Sequence, residues 1–245
     1  MKYILPSSLF LLMGLFFSCN PSQKEEMSAQ EIVNASIATH GGEAYKKLDL
    51  DFAFRDKNYR IRKDGDRFRY ERIFTEDSQK VVDILENGVF QRSIDGREIS
   101  LPDSTANKYA SSVNSVAYFV LLPEPLNDPA VEKTLIGRSM INGVDYYKVK
   151  VSFKEEGGGK DFEDTYVYWF HPETYTMDYL AYDYEVNGGG LRFRKAYNIR
   201  EVAGIRIQDY VNYKGDPKRF EVEESDRLFE EGKLEELSKI ETRPL

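Results

Sequence analysis

Cysteine is almost missing from this chain of 245 residues: Cys19 is the only one, so no internal disulfide can form. Histidine is nearly as scarce. His40 and His171 are the only two, and neither has a second histidine or a cysteine three or four residues away, as a helical metal site needs. Neither a His-Glu-x-x-His zinc motif nor a Gly-x-Ser-x-Gly nucleophile elbow occurs. Basic charge is the minority, 34 Lys and Arg against 42 Asp and Glu for a net charge of −8. That balance argues against nucleic acid, whose phosphates demand clustered Lys and Arg, and against a basic patch as a membrane contact. No cofactor is implied.

What is present begins with Lys2 and an apolar run from Leu9 through Phe17, too short to cross a bilayer and of the length of a signal-peptide core. The run ends in Phe16-Phe17-Ser18-Cys19, which resembles a bacterial lipobox. Residues 1–18 are therefore expected to be a removed signal, with Cys19 lipidated and N-terminal. Diacyl-type modification supplies the two apolar chains that stable anchoring requires. Residues 19–27 read as a flexible polar tether, and Lys24-Glu25-Glu26 is similar to a signal for display on the outer leaflet of the outer membrane. The expected location is the cell envelope, anchored to the outer membrane and either periplasmic or surface-exposed. Residues 1–18 hold one Lys and no acid, so the processed chain is more acidic by one charge.

Residues 28–245 read as a single β-rich domain. Ser28 and Glu31 have capping-box spacing, Ile32, Val33, Ala35, Ile37 and Ala38 give an apolar face, and Gly41-Gly42 is a stop, which predicts a helix to about His40. His40 is expected to cap that helix's C-terminus. From Leu48 the period becomes two, through Leu50, Phe52 and Phe54, then Phe68, Tyr70, Arg72 and Phe74. Asp64-Gly65-Asp66 reads as a turn, Asn87-Gly88 and Asp95-Gly96 are hairpin signals, and Asn142-Gly143 separates later strands. The i, i+3, i+4 pattern of Ala106, Tyr109, Ala110, Val113, Val116, Ala117 and Val120 predicts a central helix ended by Pro123. Strands resume from Leu135 to about Tyr213, and Leu228, Phe229, Leu234 and Leu237 read as short closing helical turns.

Val167-Tyr168-Trp169-Phe170-His171-Pro172-Glu173-Thr174 followed by Tyr179-Leu180-Ala181-Tyr182 resembles a hairpin of the LolA/LolB-like outer-membrane lipoprotein-sorting proteins, with His171 where Asp is common in their Asp-Pro-x-Thr turn. Phe193 to Ile199 and Val202-Ala203-Gly204-Ile205 are similar to the strand pair that follows there. The order of elements agrees from about Ser28 to Tyr213. The resemblance implies a mainly β (α+β) fold, a single strongly curved antiparallel half-barrel sheet with an N-terminal and a central helix packed on it, and neither catalytic residues nor a cofactor.

A curved sheet rich in inward aromatics is a candidate apolar cavity, with Phe52, Phe54, Phe68, Tyr70, Phe90, Trp169, Tyr182, Tyr184 and Phe193 from strands and Tyr109 and Phe119 from the helix. Each of these also fits an ordinary core. Gly157-Gly158-Gly159-Lys160 precedes a strand rather than a helix, so a hairpin explains it better than phosphate binding. Asp161, Glu163 and Asp164 read as acids facing water. An aldolase on a (β/α)₈ barrel is disfavoured because strand follows strand. Three classes stay open: a non-catalytic carrier or sensor of a lipid or other lipophilic molecule, a structural or protein-interaction lipoprotein of unknown partner, and an unrecognised hydrolase or aldolase.

Overall fold

A computed structural model of the protein describes residues 27–156, 164–184 and 189–245. The signal, Cys19, the tether up to residue 26, Gly157 to Gly159, Lys160, Asp161, Glu163, Asn187 and Gly188 lie outside the described residues.

Helix α1 (Ala29–His40) starts as its sequence dictates: the Ser28 hydroxyl accepts the Glu31 backbone N–H, and the Glu31 carboxylate accepts that of Ser28 at 2.8 Å. It stops at Gly41, whose φ is 155° and where an added Cβ would stand 2.7 Å from the Ile205 side chain. One 3₁₀ turn leads into a meander of β1 (Lys47–Phe54), β2 (Lys57–Asp64), β3 (Arg67–Glu76), β4 (Gln79–Glu86), β5 (Val89–Ile94) and the short β6 (Arg97–Glu98). Helix α2 (Asp103–Leu121) interrupts it. Then follow β7 (Val131–Ile141), β8 (Val144–Phe153), β9 (Tyr166–Phe170), β10 (Met177–Tyr184), β11 (Gly190–Val202) and β12 (Ile205–Gly215), the short α3 (Ser225–Glu230), β13 (Glu235–Ile240) and β14 (Thr242–Pro244).

The fold is mainly β, with two seven-stranded antiparallel sheets in the orders β14-β1-β2-β3-β4-β5-β6 and β13-β12-β11-β10-β9-β8-β7. The expected single sheet is thus divided. Residues 99–130 leave the strand conformation, so β6 and β7 do not pair and form two free edges. At the opposite side only Glu241 separates β13 from β14, and the final strand pair runs from one sheet into the other. Followed along this path, the strands form an open half-barrel bent at Glu241.

That bend is fastened by Asp209, 2 % exposed, whose carboxylate accepts from Asn198 Nδ2 at 2.6 Å, Arg200 Nη2 at 2.9 Å and the Thr242 backbone N–H at 2.9 Å. The Arg200 guanidinium also donates to the Thr242 carbonyl and, at 2.7 Å, to its hydroxyl.

Three apolar clusters hold the molecule. The first joins Ile32 and Val33 of α1 and Leu122 and Leu126 to Val149, Val151, Tyr168, Phe170 and Leu180 on the inner face of the second sheet. The second joins Val113, Ala117 and Leu121 of α2 to Leu48, Leu50, Phe52, Tyr59, Ile61 and Tyr70 of the first sheet. In the third, Val222 and Leu228, with Phe220, Phe229 and Leu234, cover Val167, Trp169, Leu191 and Phe193 on the outer face of the second sheet. All three are drawn from residues 27–245. The closing segment departs from expectation at Leu237, which lies in β13, 44 % exposed, and not in a helical turn. Among the described residues no helix is long and apolar enough to cross a membrane.

Candidate ligand cavity

Helix α2 lies between the two sheets, and beside it is a cavity of about 670 Å³. Its walls are Lys63, Phe68 and Tyr70 of the first sheet, Ser111, Asn114, Ser115, Tyr118 and Phe119 of α2, the loop from Glu124 to Val131, and Phe153 and Tyr166 of the second sheet. Alternation explains the strand contributions: Lys63 follows Ile61 by two residues, Phe68 precedes Tyr70, and Phe153 and Tyr166 extend the inner rows of Val151 and Tyr168. Beside Tyr118 and Phe119 the helix contributes the small Ser111, Asn114 and Ser115, which leave the space open.

Many polar groups in this wall have already spent their hydrogen bonds. The Ser111 hydroxyl donates to the Asn107 carbonyl and that of Ser115 to the Ser111 carbonyl, each at 2.9 Å, so both are satisfied by their own helix. Lys63 Nζ is held by Glu124 Oε1 at 2.5 Å. Asn127 donates to Asn34 at 2.9 Å and accepts from Gln30 at 2.7 Å, which also ties the loop to α1. Asp128 accepts the Ala130 N–H at 2.8 Å. The Tyr118 hydroxyl stands 3.4 Å from that of Tyr168, and burial pushes its pKa up to about 12; burial and the neighbouring Glu124 raise that of Tyr70 further. Both remain neutral phenols at physiological pH. Asp66 and Asn114, which also line the space, are exposed and make its mouth polar, whereas the rings of Phe68, Tyr70, Tyr118, Phe119, Phe153 and Tyr166 form the part that suits an apolar occupant.

Of the aromatics singled out in the sequence, Phe68, Tyr70 and Phe119 line the cavity. Tyr182 packs behind two lining rings, 5.3 Å from Tyr166 and 5.8 Å from Phe119, and Tyr184 follows at 6.1 Å from Tyr182. Phe52 is 1 % exposed and stacked on Tyr59 at 5.4 Å, with Phe54 beside it, both in the core of the first sheet. Phe90 and Tyr109 meet at 6.2 Å near the N-terminal end of α2. Trp169 and Phe193 point to the opposite face of the second sheet, where Phe193 stacks on Phe229 at 4.9 Å and Trp169 Nε1 donates to Ser139. Sequence reasoning missed Lys63, Tyr118, Phe153 and Tyr166; alternation with Ile61, Val151 and Tyr168 was the available signal for the three strand residues.

Tyr109 belongs to a buried ionic cluster on the same inner face. Asp83, fully buried, accepts from Arg72 at 2.6 and 2.9 Å and from Arg92 at 2.6 and 2.9 Å, while the Arg92 guanidinium sits 3.7 Å from the Tyr109 ring centroid. Arg72 also donates to Ser112 at 2.7 Å.

The histidines are structural. His171 Nδ1 accepts the backbone N–H groups of Glu173 and Thr174 at 3.2 and 3.3 Å, the bonds an Asp carboxylate would accept in such a turn. His40 does not cap α1 with charge as expected. It is 1 % exposed, its Nε2 accepts the Met177 N–H at 3.1 Å, and burial, with Arg206 adding repulsion, depresses its pKa to about 3. Packing against β10 has overridden the helix dipole. Asp164, expected to face water, is half-buried and engaged. Among the described residues no group of three or more His, Cys, Asp or Glu is placed to hold a metal ion.

These features define the class: an open, helix-plugged β protein with an aromatic-walled cavity between its sheets. The chain belongs to the family of unknown function DUF6503, which matches residues 7–242. No curated protein matches it. Among solved structures it is similar to a LolA superfamily protein from Nitrosomonas europaea, at 13 % identity over 78 % of this chain and 87 % of that one, with a TM-score of 0.44. It is similar also to a putative outer membrane lipoprotein-sorting protein domain from Vibrio parahaemolyticus, at 10 % identity, 75 % and 85 % coverage and a TM-score of 0.42. A DUF1329 family protein from Desulfovibrio piger follows at 11 % identity, 78 % and 87 % coverage and a TM-score of 0.37.

Proposed function

We propose that this chain is an envelope lipoprotein, held to the outer membrane through lipid on Cys19, that takes the apolar chain of a lipid or other lipophilic molecule into the inter-sheet cavity and carries or senses it without catalysis. The observation that carries the reading is the 670 Å³ space walled by Phe68, Tyr70, Tyr118, Phe119, Phe153 and Tyr166, in which the serines, lysine and loop side chains are already bonded. Its size lies within the roughly 300–1,000 Å³ of small-molecule sites. A permanent anchor suits a fixed acceptor or receptor better than a ferry between membranes.

A chain beginning at Asn20 contains every residue of the three apolar clusters and serves for the test. Saturated fatty acids of increasing length should bind it with affinity that rises until the cavity is full, since each buried methylene contributes about 0.8 kcal/mol. Phe119→Asp, which places a charge in the wall, should abolish binding, whereas Trp169→Phe on the opposite face should leave it intact. Failure of every acyl length to bind would overturn the reading and leave the protein-interaction module in its place.

A further inference from the structure

The cavity wall leads to a pair of arginines that form no ion pair with any acid among the described residues. Leu191 and Phe193 of β11 are packed in the outer cluster, so Arg192 and Arg194, which alternate with them, face inward. Three arginines are buried among the described residues; Arg72 and Arg92 grip Asp83, but no carboxylate among those residues reaches Arg194. Its guanidinium lies 4.1 Å over the Phe119 ring and 5.1 Å over Tyr182, and Nη2 donates to the Tyr182 hydroxyl at 2.8 Å. Its Nε is buried without a partner. Directly across the ladder, Asn212 carries a second buried atom without a partner, Oδ1. Arg192, half-buried, sits 5.2 Å over Tyr184, donates to that hydroxyl at 2.5 Å and to the Leu191 carbonyl at 2.9 Å, and likewise forms no ion pair with a carboxylate among the described residues.

An uncompensated buried cation is costly, and aromatic faces and phenols replace only part of its hydration. Phe119 joins this place to the cavity, with one side in the wall and the guanidinium of Arg194 against its ring. We infer that Arg192 and Arg194 seat the oxyanion head, carboxylate or phosphate, of an amphiphile whose tail occupies the cavity; the inference rests on the proposed reading of that cavity. The head would meet the charge and the orphan donor of Arg194, contacts that a guanidinium makes well with planar or tetrahedral oxyanions.

The test compares palmitate, hexadecanol and inorganic phosphate on the chain from Asn20 by calorimetric titration. Palmitate should bind at least tenfold tighter than hexadecanol. Arg192→Gln and Arg194→Gln should each shrink that ratio several-fold while leaving hexadecanol affinity unchanged, and Arg194→Lys should restore part of it. Should Arg194→Gln fail to fold, the half-buried Arg192 carries the comparison alone. Equal binding of acid and alcohol to the parent would overturn the inference and leave the cavity reading standing. Phosphate that binds as tightly as palmitate would make this a free-anion site and overturn the amphiphile. Binding of neither palmitate nor hexadecanol would remove the cavity reading, and this inference with it.

Discussion

Acidification should destabilise the protein through His40 over a window set by its burial. The imidazole is neutral in the fold: Nε2 accepts the Met177 N–H, so the proton sits on Nδ1, which is buried without a partner. In the unfolded chain the same group takes a proton below its ordinary value of 6.5, whereas in the fold it refuses one until about 3. Between those limits the unfolded state binds one proton more, so stability is full above pH 6.5 and is lost as the pH falls, at about 1.4 kcal/mol per unit. At pH 4.5 the loss from this residue alone reaches about 2.7 kcal/mol, a large share of the 5–15 kcal/mol of a typical domain. His40→Gln keeps an acceptor near the position of Nε2 and cannot titrate. Urea unfolding of the chain from Asn20 at pH 7 and pH 4.5 measures the difference, because carboxylates contribute alike to parent and variant. The parent should lose about 2–3 kcal/mol more than His40→Gln. Parallel losses would refute the reasoning and mean that His40 charges without leaving its place.

Asp83→Ala leaves Arg72 and Arg92 facing each other without their acid under α2, and should cost about 3–5 kcal/mol in denaturant unfolding, far more than any exposed ion pair. His171→Asp should preserve the turn before β10, since a carboxylate accepts the same two N–H groups, while His171→Ala should lose about 1 kcal/mol; unfolding midpoints of the two variants check this. Cys19→Ala should leave the precursor without acyl chains, seen as loss of their mass from the purified protein and of radiolabelled palmitate incorporation in cells. Equal labelling of parent and variant would place the lipid elsewhere.

Where one residue pattern answered to one physical demand, the sequence could be read directly. The capping box at Ser28 and Glu31 formed as expected, and Asn87-Gly88, Asp95-Gly96 and Asn142-Gly143 all take positive φ at both positions, as tight hairpins need. The facing of the second sheet could not be read. Alternation divides Trp169 from Tyr168 and Phe193 from Arg194, but α1 and α2 cover one face and residues 220–234 the other, so both rows are buried and apolarity no longer marks the inside. Leu237 misled for the opposite reason: β13 is exposed at nearly every position, and its place is set by backbone pairing with β12. The cavity was partly legible as an excess of aromatics. Which of them line it depends on the position of α2, a contact between elements far apart in the chain.

Helix α2 has to satisfy two sheets at once, and this explains why a cavity survives beside it. Val113, Ala117 and Leu121 face the first sheet, and Tyr118, Phe119 and Leu122 turn toward the second. A helix committed in both directions has a narrow sector left, and here Ser111, Asn114 and Ser115 occupy it. Large apolar residues in that sector would fill the gap and gain dispersion contacts; small ones forgo that gain. The serines bond back to their own helix, which leaves the gap without a strong claim on water. Stability has thus been forgone in a place where the proposed apolar chain would restore it. Binding there is linked to folding, since an occupant of the native state alone stabilises by RT ln(1 + [L]/Kd). Arg194 behind Phe119, without an acid partner among the described residues, is a second unfilled demand in the same neighbourhood, polar where the first is apolar, and the proposed amphiphile would answer both.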